Sequence, residues 1–532
     1  MLKELEKSIG SLKFAVSSIS LFCIYMIIGT FIESYYGTSF ANRIVYKSLP
    51  FMMLQGALFL SIFCATTLRL PFRKKLTGFY IIHAGLMTIF VGSFITFVAG
   101  IDGQLTLDPG ATVRQVLLQE DQLFIQNMDE DQTKTVDLPS SAFTQKVGES
   151  VDGIKVLNYL PFADKKLHWS AATTLKTKFP SSEYFISNGK IEQKFALSLH
   201  PESNVEKSLK LGPLSVQYYP AFMQKCFGEG VRFWDSALKK CFLEKELGAK
   251  FSKSSDHQKV TVSYQGSEFN FFPKLSTYPF KSGLELNRNS PLRIFNSDLF
   301  KGHKILFLFG ETAIFEKAGK WFTTSLSTGA VTLPWMNFHL TLKKHSEEIL
   351  PRLLPEYILP IQKDGKLIKG DLKAVEVEIN QKKFWVTSEG PVNLLVNGKK
   401  YLLAIGSKSF NLPFAFSLDQ FKMDKNPGTN MPASFESFVN LFTGQNPTKH
   451  HIYMNNPLKF SKYTFYQSSY FQTEGGGYGS VLSVNFDPGR WLKYLGSLML
   501  TLGSILYYFM KMRKPKKLLY KNNLNQELLV QT

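Results

Sequence analysis

Between Gly78 and Ile101 the chain carries no charge, and the one side chain in that stretch that can ionise near neutral pH is His83. An imidazole in hydrocarbon is costly to desolvate, so its presence points to a ligand, a proton carrier or a hydrogen bond between packed helices. At about 100° per helical residue, Met87, Phe90 and Phe94 share the face of His83. Gly78, Gly85 and Gly92 form a small-residue stripe on roughly the opposite face, where another helix can pack closely. An apolar, aromatic face with a single imidazole suits haem, whose iron accepts histidine as an axial ligand. A helix-packing histidine remains open as the plainer alternative, since aromatic stripes more often pack than bind. Proton relay would need an acidic companion, and the other N-terminal apolar segments offer none. None of the apolar segments contains a second histidine, so a bis-histidine haem would need its other ligand from another chain.

Other reactive residue types are sparse. Cys226 and Cys241 stand fifteen residues apart. In an oxidising compartment they can form a structural disulfide, worth about 3 kcal/mol in the chain-entropy estimate. The alternative is a redox pair acting on a partner's thiols, which normally uses closer spacing. Cys23 and Cys64 lie in apolar segments as packing residues. His450-His451 has no further ligand at metal-binding spacing. Gly475-Gly476-Gly477-Tyr478-Gly479 lacks the strand–helix context of a phosphate cradle and reads as a loop between strands.

The elements that must position these residues follow from hydropathy. Residues 14–32, 49–68 and 78–101 are uncharged, and a fourth apolar segment runs from about Trp491 to Met510 with one lysine, Lys493, near its start. A bilayer core about 30 Å thick takes roughly 20 apolar residues, so the reading is an integral membrane protein with three N-terminal transmembrane helices and one C-terminal helix. The chain has 532 residues and a net charge of +20. About half of that excess sits on the N-terminus, on the 69–77 loop (Arg69, Arg73, Lys74, Lys75) and on the tail that follows the fourth segment. The positive-inside rule then puts both termini in the cytoplasm and residues 102–490 outside it. No small-residue cleavage site follows the first segment, which is read as an uncleaved span. The charge is an orientation signal, and no basic run is set in a nucleic-acid motif.

Three regions result: 1–101 with three spans, 102–490 as a large extracytoplasmic domain, and 491–532 as the last span with a basic cytoplasmic tail. The large insert is mainly β. KILFLFG, AVEVEIN, KFWVTS and SVLSVNF are strand-like, and Asn188-Gly189, Asp364-Gly365 and Asn397-Gly398 are turn dipeptides. VNLLVNGKKYLLAIG is the clearest hairpin. SFESFVNLF at 434–442 is the candidate helix in the insert, and two stacked sandwiches are the expected arrangement. No linker marks an inner boundary.

The ordered set of local motifs resembles the ResB (also CcsB) family of System II cytochrome c biogenesis proteins. The resemblance rests on His83-Ala84-Gly85-Leu86 through Gly92, on Gly100-Ile101-Asp102-Gly103-Gln104-Leu105, and on a run of motifs near the end. These are Leu412-Pro413-Phe414, Asn426-Pro427-Gly428-Thr429, Asn456-Pro457-Leu458, Tyr463-Thr464-Phe465-Tyr466-Gln467-Ser468-Ser469-Tyr470 and Asp487-Pro488-Gly489. The middle of the chain, about 110–400, shows no distinctive match. The resemblance implies one half of a haem exporter and cytochrome c synthase in the bacterial cytoplasmic membrane, or in the thylakoid membrane for a plastid chain. It implies that His83 is an axial ligand to b-type haem held non-covalently in transit. The implied partners are a CcsA (ResC)-like membrane protein with a tryptophan-rich WWD segment, apocytochrome c with its Cys-x-x-Cys-His motif, and a thioredoxin-like thiol reductant. This chain has no WWD-like segment and so resembles the stand-alone half. The resemblance assigns no bond-forming step to this subunit. Tyr466, Gln467 and Tyr470, some twenty residues before the last span, are candidates for a docking site near the membrane surface. Two other classes stay in view: a non-catalytic scaffold recruiting apocytochrome or a thiol reductant, and a transporter or sensor with an extracytoplasmic ligand domain.

Overall fold

Each long apolar segment becomes a helix, and two of these helices start at a serine cap. In the computed structural model, which describes residues 2–172, 178–227, 230–254, 259–272, 291–429, 432–444, 446–473 and 475–512, six α-helices occur. They are α1 (Leu2–Ile9), α2 (Leu12–Tyr36), α3 (Thr38–Ala41), α4 (Leu49–Thr67), α5 (Thr77–Ala99) and α6 (Arg490–Met512). Ser11 caps α2 by accepting from the Phe14 amide (3.2 Å), and Ser48 caps α4 through Phe51 (3.4 Å) with a proline in its first turn. α2, α4 and α5 are long and apolar enough to cross a membrane, and the protein is a membrane protein. The basic tail beyond Met512 lies outside the described residues.

The chain divides into two compact units, Met1–Asp164 with Pro355–Thr532, and Lys165–Leu354. In the first, a ten-stranded sheet explains how helices almost four hundred residues apart become neighbours. The strand leaving α5, Ile101–Leu107, pairs antiparallel with Tyr478–Phe486, the strand that leads into α6. Ile101 lies opposite Phe486, so both chains leave the sheet at the same end. On the other side of Ile101–Leu107 come Thr112–Asn127, the long strand Lys399–Lys425 and Pro432–Phe442. Leu105, Val116, Phe414, Phe416, Phe465 and Leu482 fill the core of this sheet. A six-stranded sheet built on Ile154–Ala171 and Leu372–Ile379 contributes Val156, Tyr159, Val375 and Val377 to a second core, together with Leu123 and Ile125.

The Asn397-Gly398 hairpin forms as its sequence demands. Both residues have positive φ (50° and 82°), the left-handed pair of a type I′ turn between Val392–Val396 and Lys399–Lys425. Asp364-Gly365 does the same between two short strands (φ 51° and 75°). The expected helix at 434–442 is instead part of the strand Pro432–Phe442, paired on both sides. Ser437, Val439 and Leu441 alternate inward, and that period of two decides the outcome.

The second unit holds a five-stranded sheet, a four-stranded sheet and two of three strands. Its strands Leu214–Tyr218 and Ile305–Phe309 pair in parallel. Phe227, Phe295, Phe307 and Phe309 form an aromatic core beside Cys226.

Candidate functional site

α5 presents two faces of different character. Gly78, Gly85 and Gly92 lie against α6, where an added Cβ at Gly85 would sit 2.7 Å from the carbonyl oxygen of Gly496. At Gly92 it would sit 2.9 Å from the Gly489 oxygen, and at Gly78 2.7 Å from the Tyr507 Cα. The glycine stripe read from the sequence is thus the seat of α6, with Gly496 and Gly503 of that helix and Gly489 just before it providing the matching approach.

His83 sits in the second turn of α5. Its Nδ1 lies 3.0 Å from the Phe79 carbonyl oxygen. A carbonyl only accepts, so Nδ1 carries the proton and Nε2 presents a lone pair. The Phe79 ring covers the imidazole, with centroids 3.7 Å apart, and the Arg69 guanidinium lies over that same ring at 4.6 Å. Tyr80 donates to the Arg69 carbonyl, which ties the basic loop to the start of α5. An imidazole whose second nitrogen is anchored to a backbone carbonyl is the arrangement that orients a histidine toward a metal. The donor set therefore fits one axial bond to haem iron, and none of the other apolar segments carries a histidine.

Along the same side of α5, a cavity of about 470 Å³ opens against α4. Met52, Gln55, Gly56, Phe59, Phe90 and Phe94 line it, and Phe59 meets Phe90 edge-on at 6.1 Å. Of the three residues expected on the His83 face, Phe90 and Phe94 line this cavity.

The three docking candidates occupy different environments. Tyr466 is exposed on the outer face of its strand and lines a polar cavity of about 540 Å³ with Asp102, Ser483, Asn485, Arg490 and Lys493. Gln467 points the other way, where its amide oxygen accepts from Ser437 (2.6 Å) and its nitrogen donates to Ser480 (3.1 Å). A bulge between Gln467 and Ser469 then turns Tyr470 onto the face of Gln467, so it packs with Phe421, Phe435 and Tyr478.

Sequence reasoning passed over two charged joints. Asp487 accepts from Thr96 of α5 and from Lys493 of α6 (2.7 Å), with Arg490 at 3.7 Å. Burial works to raise its pKa, but the bonds from Lys493 and Thr96 and the two cations hold the carboxyl below its usual range. Arg490 reaches on to Thr464 (2.8 Å) and Asn485, so this joint ties α5, α6 and the sheet together. The second joint fixes the α2–α4 connection. Arg43 donates to Asp121 (2.9 Å) and to the Ser141 carbonyl (2.9 Å), while Tyr159 (2.6 Å) and Lys373 complete the shell of Asp121. The Arg43 and Asp121 side chains are 8% and 3% exposed. Burial opposes ionisation of Asp121, yet Lys373, Tyr159 and Arg43 keep it below the ordinary carboxylate range. The only sequence signals were a DPG motif before the last helix and a lone arginine in a short connection.

Cys226 and Cys241 are joined in a disulfide with Cα atoms 5.4 Å apart, and Cys226 is buried in the aromatic core of the second unit. His450 bonds Thr448, while His451 bonds Glu436 (2.7 Å) and stacks on Phe438. Among the described residues, no cluster of three or more His, Cys, Asp or Glu side chains could hold a metal ion.

These features define a membrane protein whose N-terminal helices and last helix are joined through one mainly-β region. Residues 385–479 of that region match the ResB-like family. A 103-residue segment is 37% identical to Protein NrfI of Wolinella succinogenes, covering 19% of this chain and 11% of that protein. The match thus spans about a tenth of the relative's length. The likeness to the ResB-like family thus rests on a segment of about a fifth of the chain. Tyr466, Gln467 and Tyr470 fall inside the matched segment, and His83 falls outside it.

Proposed function

We propose that this chain acts in cytochrome c biogenesis as the haem-handling subunit of a System II synthase. The observation that carries the reading is the imidazole of His83, with Nδ1 fixed by the Phe79 carbonyl and Nε2 left as a donor inside an apolar helix. In this reading α6 is a fourth span, because it runs beside α5 along the glycine stripe. The basic 69–77 loop faces the cytoplasm and the β region lies outside it.

The residues divide the work simply. His83 Nε2 holds the iron of the cargo haem, the Phe79 carbonyl fixes the imidazole orientation, and the Phe79 ring shields one side of it. The second axial ligand comes from the WWD-type CcsA partner, since this chain brings no other histidine to the spans. The haem supplies two vinyl groups, across which the thiols of the apocytochrome Cys-x-x-Cys-His motif add to form thioethers. A thiol reductant keeps those cysteines reduced. The Tyr466 face of the sheet, beside the start of α6, is the natural docking surface for the apoprotein.

The test is maturation of a reporter cytochrome c in cells expressing this chain with its partner. His83→Ala is expected to lower both haem content and maturation; unchanged haem occupancy would sink the ligand assignment.

A second reading is a non-catalytic scaffold that recruits apocytochrome or a reductant. It is favoured by the family match, which covers the β region and not His83. Haem that disappears only when the partner's histidines are changed would decide for it.

A further inference from the structure

The cavity between α4 and α5 contains chemistry that the haem ligand does not use. Gln55, in the second turn of α4, lines it and has no hydrogen-bond partner among the described residues; the Ser93 hydroxyl opposite on α5 has none either. Both sit in helices long and apolar enough to cross a membrane, where lipid tails offer no hydrogen bond. An unpaired carboxamide there is satisfied by a polar group on whatever fills the cavity. Beside it, Gly56 meets nothing within 4 Å of a built Cβ, so a backbone can approach closely. The lining runs from Met52 to Phe59 on α4 and from Ile89 to Phe97 on α5, about two helical turns on each. That shape matches the side of a helix. Phe90 and Phe94 also continue the face of His83, which places the occupant in line with the missing axial ligand.

We propose that the α4/α5 cavity seats a transmembrane helix of the partner chain, hydrogen-bonded to Gln55 and packed closely at Gly56 and Ser93. The proposal rests on the reading above in that the partner is the chain owing the second haem ligand. The same helix carries a polar residue level with Gln55 and a histidine about three turns nearer the cytoplasmic end.

The experiment uses the full chain co-expressed with the WWD-type partner and a photo-crosslinking amino acid placed at Met52, Phe94 or, as control, Ile27. Ile27 is exposed on α2, away from the cavity lining. Adducts with the partner are expected at Met52 and Phe94 and not at Ile27. Gln55→Leu and Gly56→Leu should lower the Phe94 adduct about threefold to tenfold. His83→Ala should empty the haem site while leaving the adduct in place. Wild-type complex that gives the adduct without haem would end the haem reading and leave this one standing. Lipid adducts alone, a dimer of this chain, equal labelling at Ile27, or an adduct that vanishes with His83→Ala would each overturn the proposal, the last because haem itself would then fill the cavity.

Discussion

The two faces of α5 are built on opposite principles. One meets α6 through five glycines on the two helices and Gly489 just before α6, and leaves no room for an added carbon. The other carries His83, Phe90 and Phe94 and leaves a cavity and an unshared nitrogen. Where this chain supplies its own partner helix, shape complementarity settles the contact. Where it does not, the side chains retain unused binding capacity. That contrast separates residues whose loss should unfold the protein from residues whose loss should only empty it.

The largest effect is expected on the glycine face. Gly85→Leu forces a side chain into the Gly496 and Leu500 backbone, which has no flexible atom to yield. Overpacking of this kind costs about 3 kcal/mol or more. The variant should lose its thermal transition in detergent or fail to accumulate, and a wild-type melting temperature would show that α6 is not seated there.

Away from α5, Asp121→Asn should cost about 3 kcal/mol, because Arg43 is then left buried beside a neutral side chain. Its pH dependence has a definite sign. The folded-state pKa of Asp121 lies below its unfolded value, so the stabilisation is complete above about pH 4 and is lost as pH falls through the lower folded value. Denaturation followed between pH 6 and 2 should be steeper for the wild type than for Asp121→Asn; identical acid limbs would remove Asp121 from the account.

Asp487→Asn keeps an acceptor for Thr96 but removes the charge facing Lys493 and Arg490. A loss of about 1–2 kcal/mol is expected, since this joint is partly solvated. Hydrogen exchange at the start of α6 should rise while that in the rest of the sheet does not. A uniform rise would mean that the joint holds the whole fold rather than one end of the glycine face.

How far the sequence disclosed this arrangement depended on period and range. The three long apolar N-terminal helices, the glycine stripe and the Asn397-Gly398 turn were legible because each is a local pattern with one physical solution. The segment 434–442 misled because Phe435, Phe438, Val439 and Phe442 fall at helical spacing. The inward residue that reveals the strand is a serine, Ser437, bonded to Gln467 and Ser480 across the sheet, so the period of two was hidden by a polar core position. The turn of Tyr470 away from the face of Tyr466 depends on a bulge that no composition announces. Arg43 with Asp121, and Thr96 with Asp487, join residues 78 and 391 positions apart, a range at which a single sequence carries no pairing signal. Likewise, nothing marked the boundaries at 164/165 and 354/355, because Ile154–Ala171 runs as one strand through the first of them.

The central claim is that His83 Nε2 is an iron ligand, and the optical spectrum of the full chain purified with its partner tests it most directly. The wild type is expected to show a b-type haem spectrum. His83→Ala should keep the wild-type melting behaviour, lose most of that absorbance, and regain it when free imidazole is added to occupy the vacated position. Full haem occupancy in His83→Ala without imidazole would contradict the account.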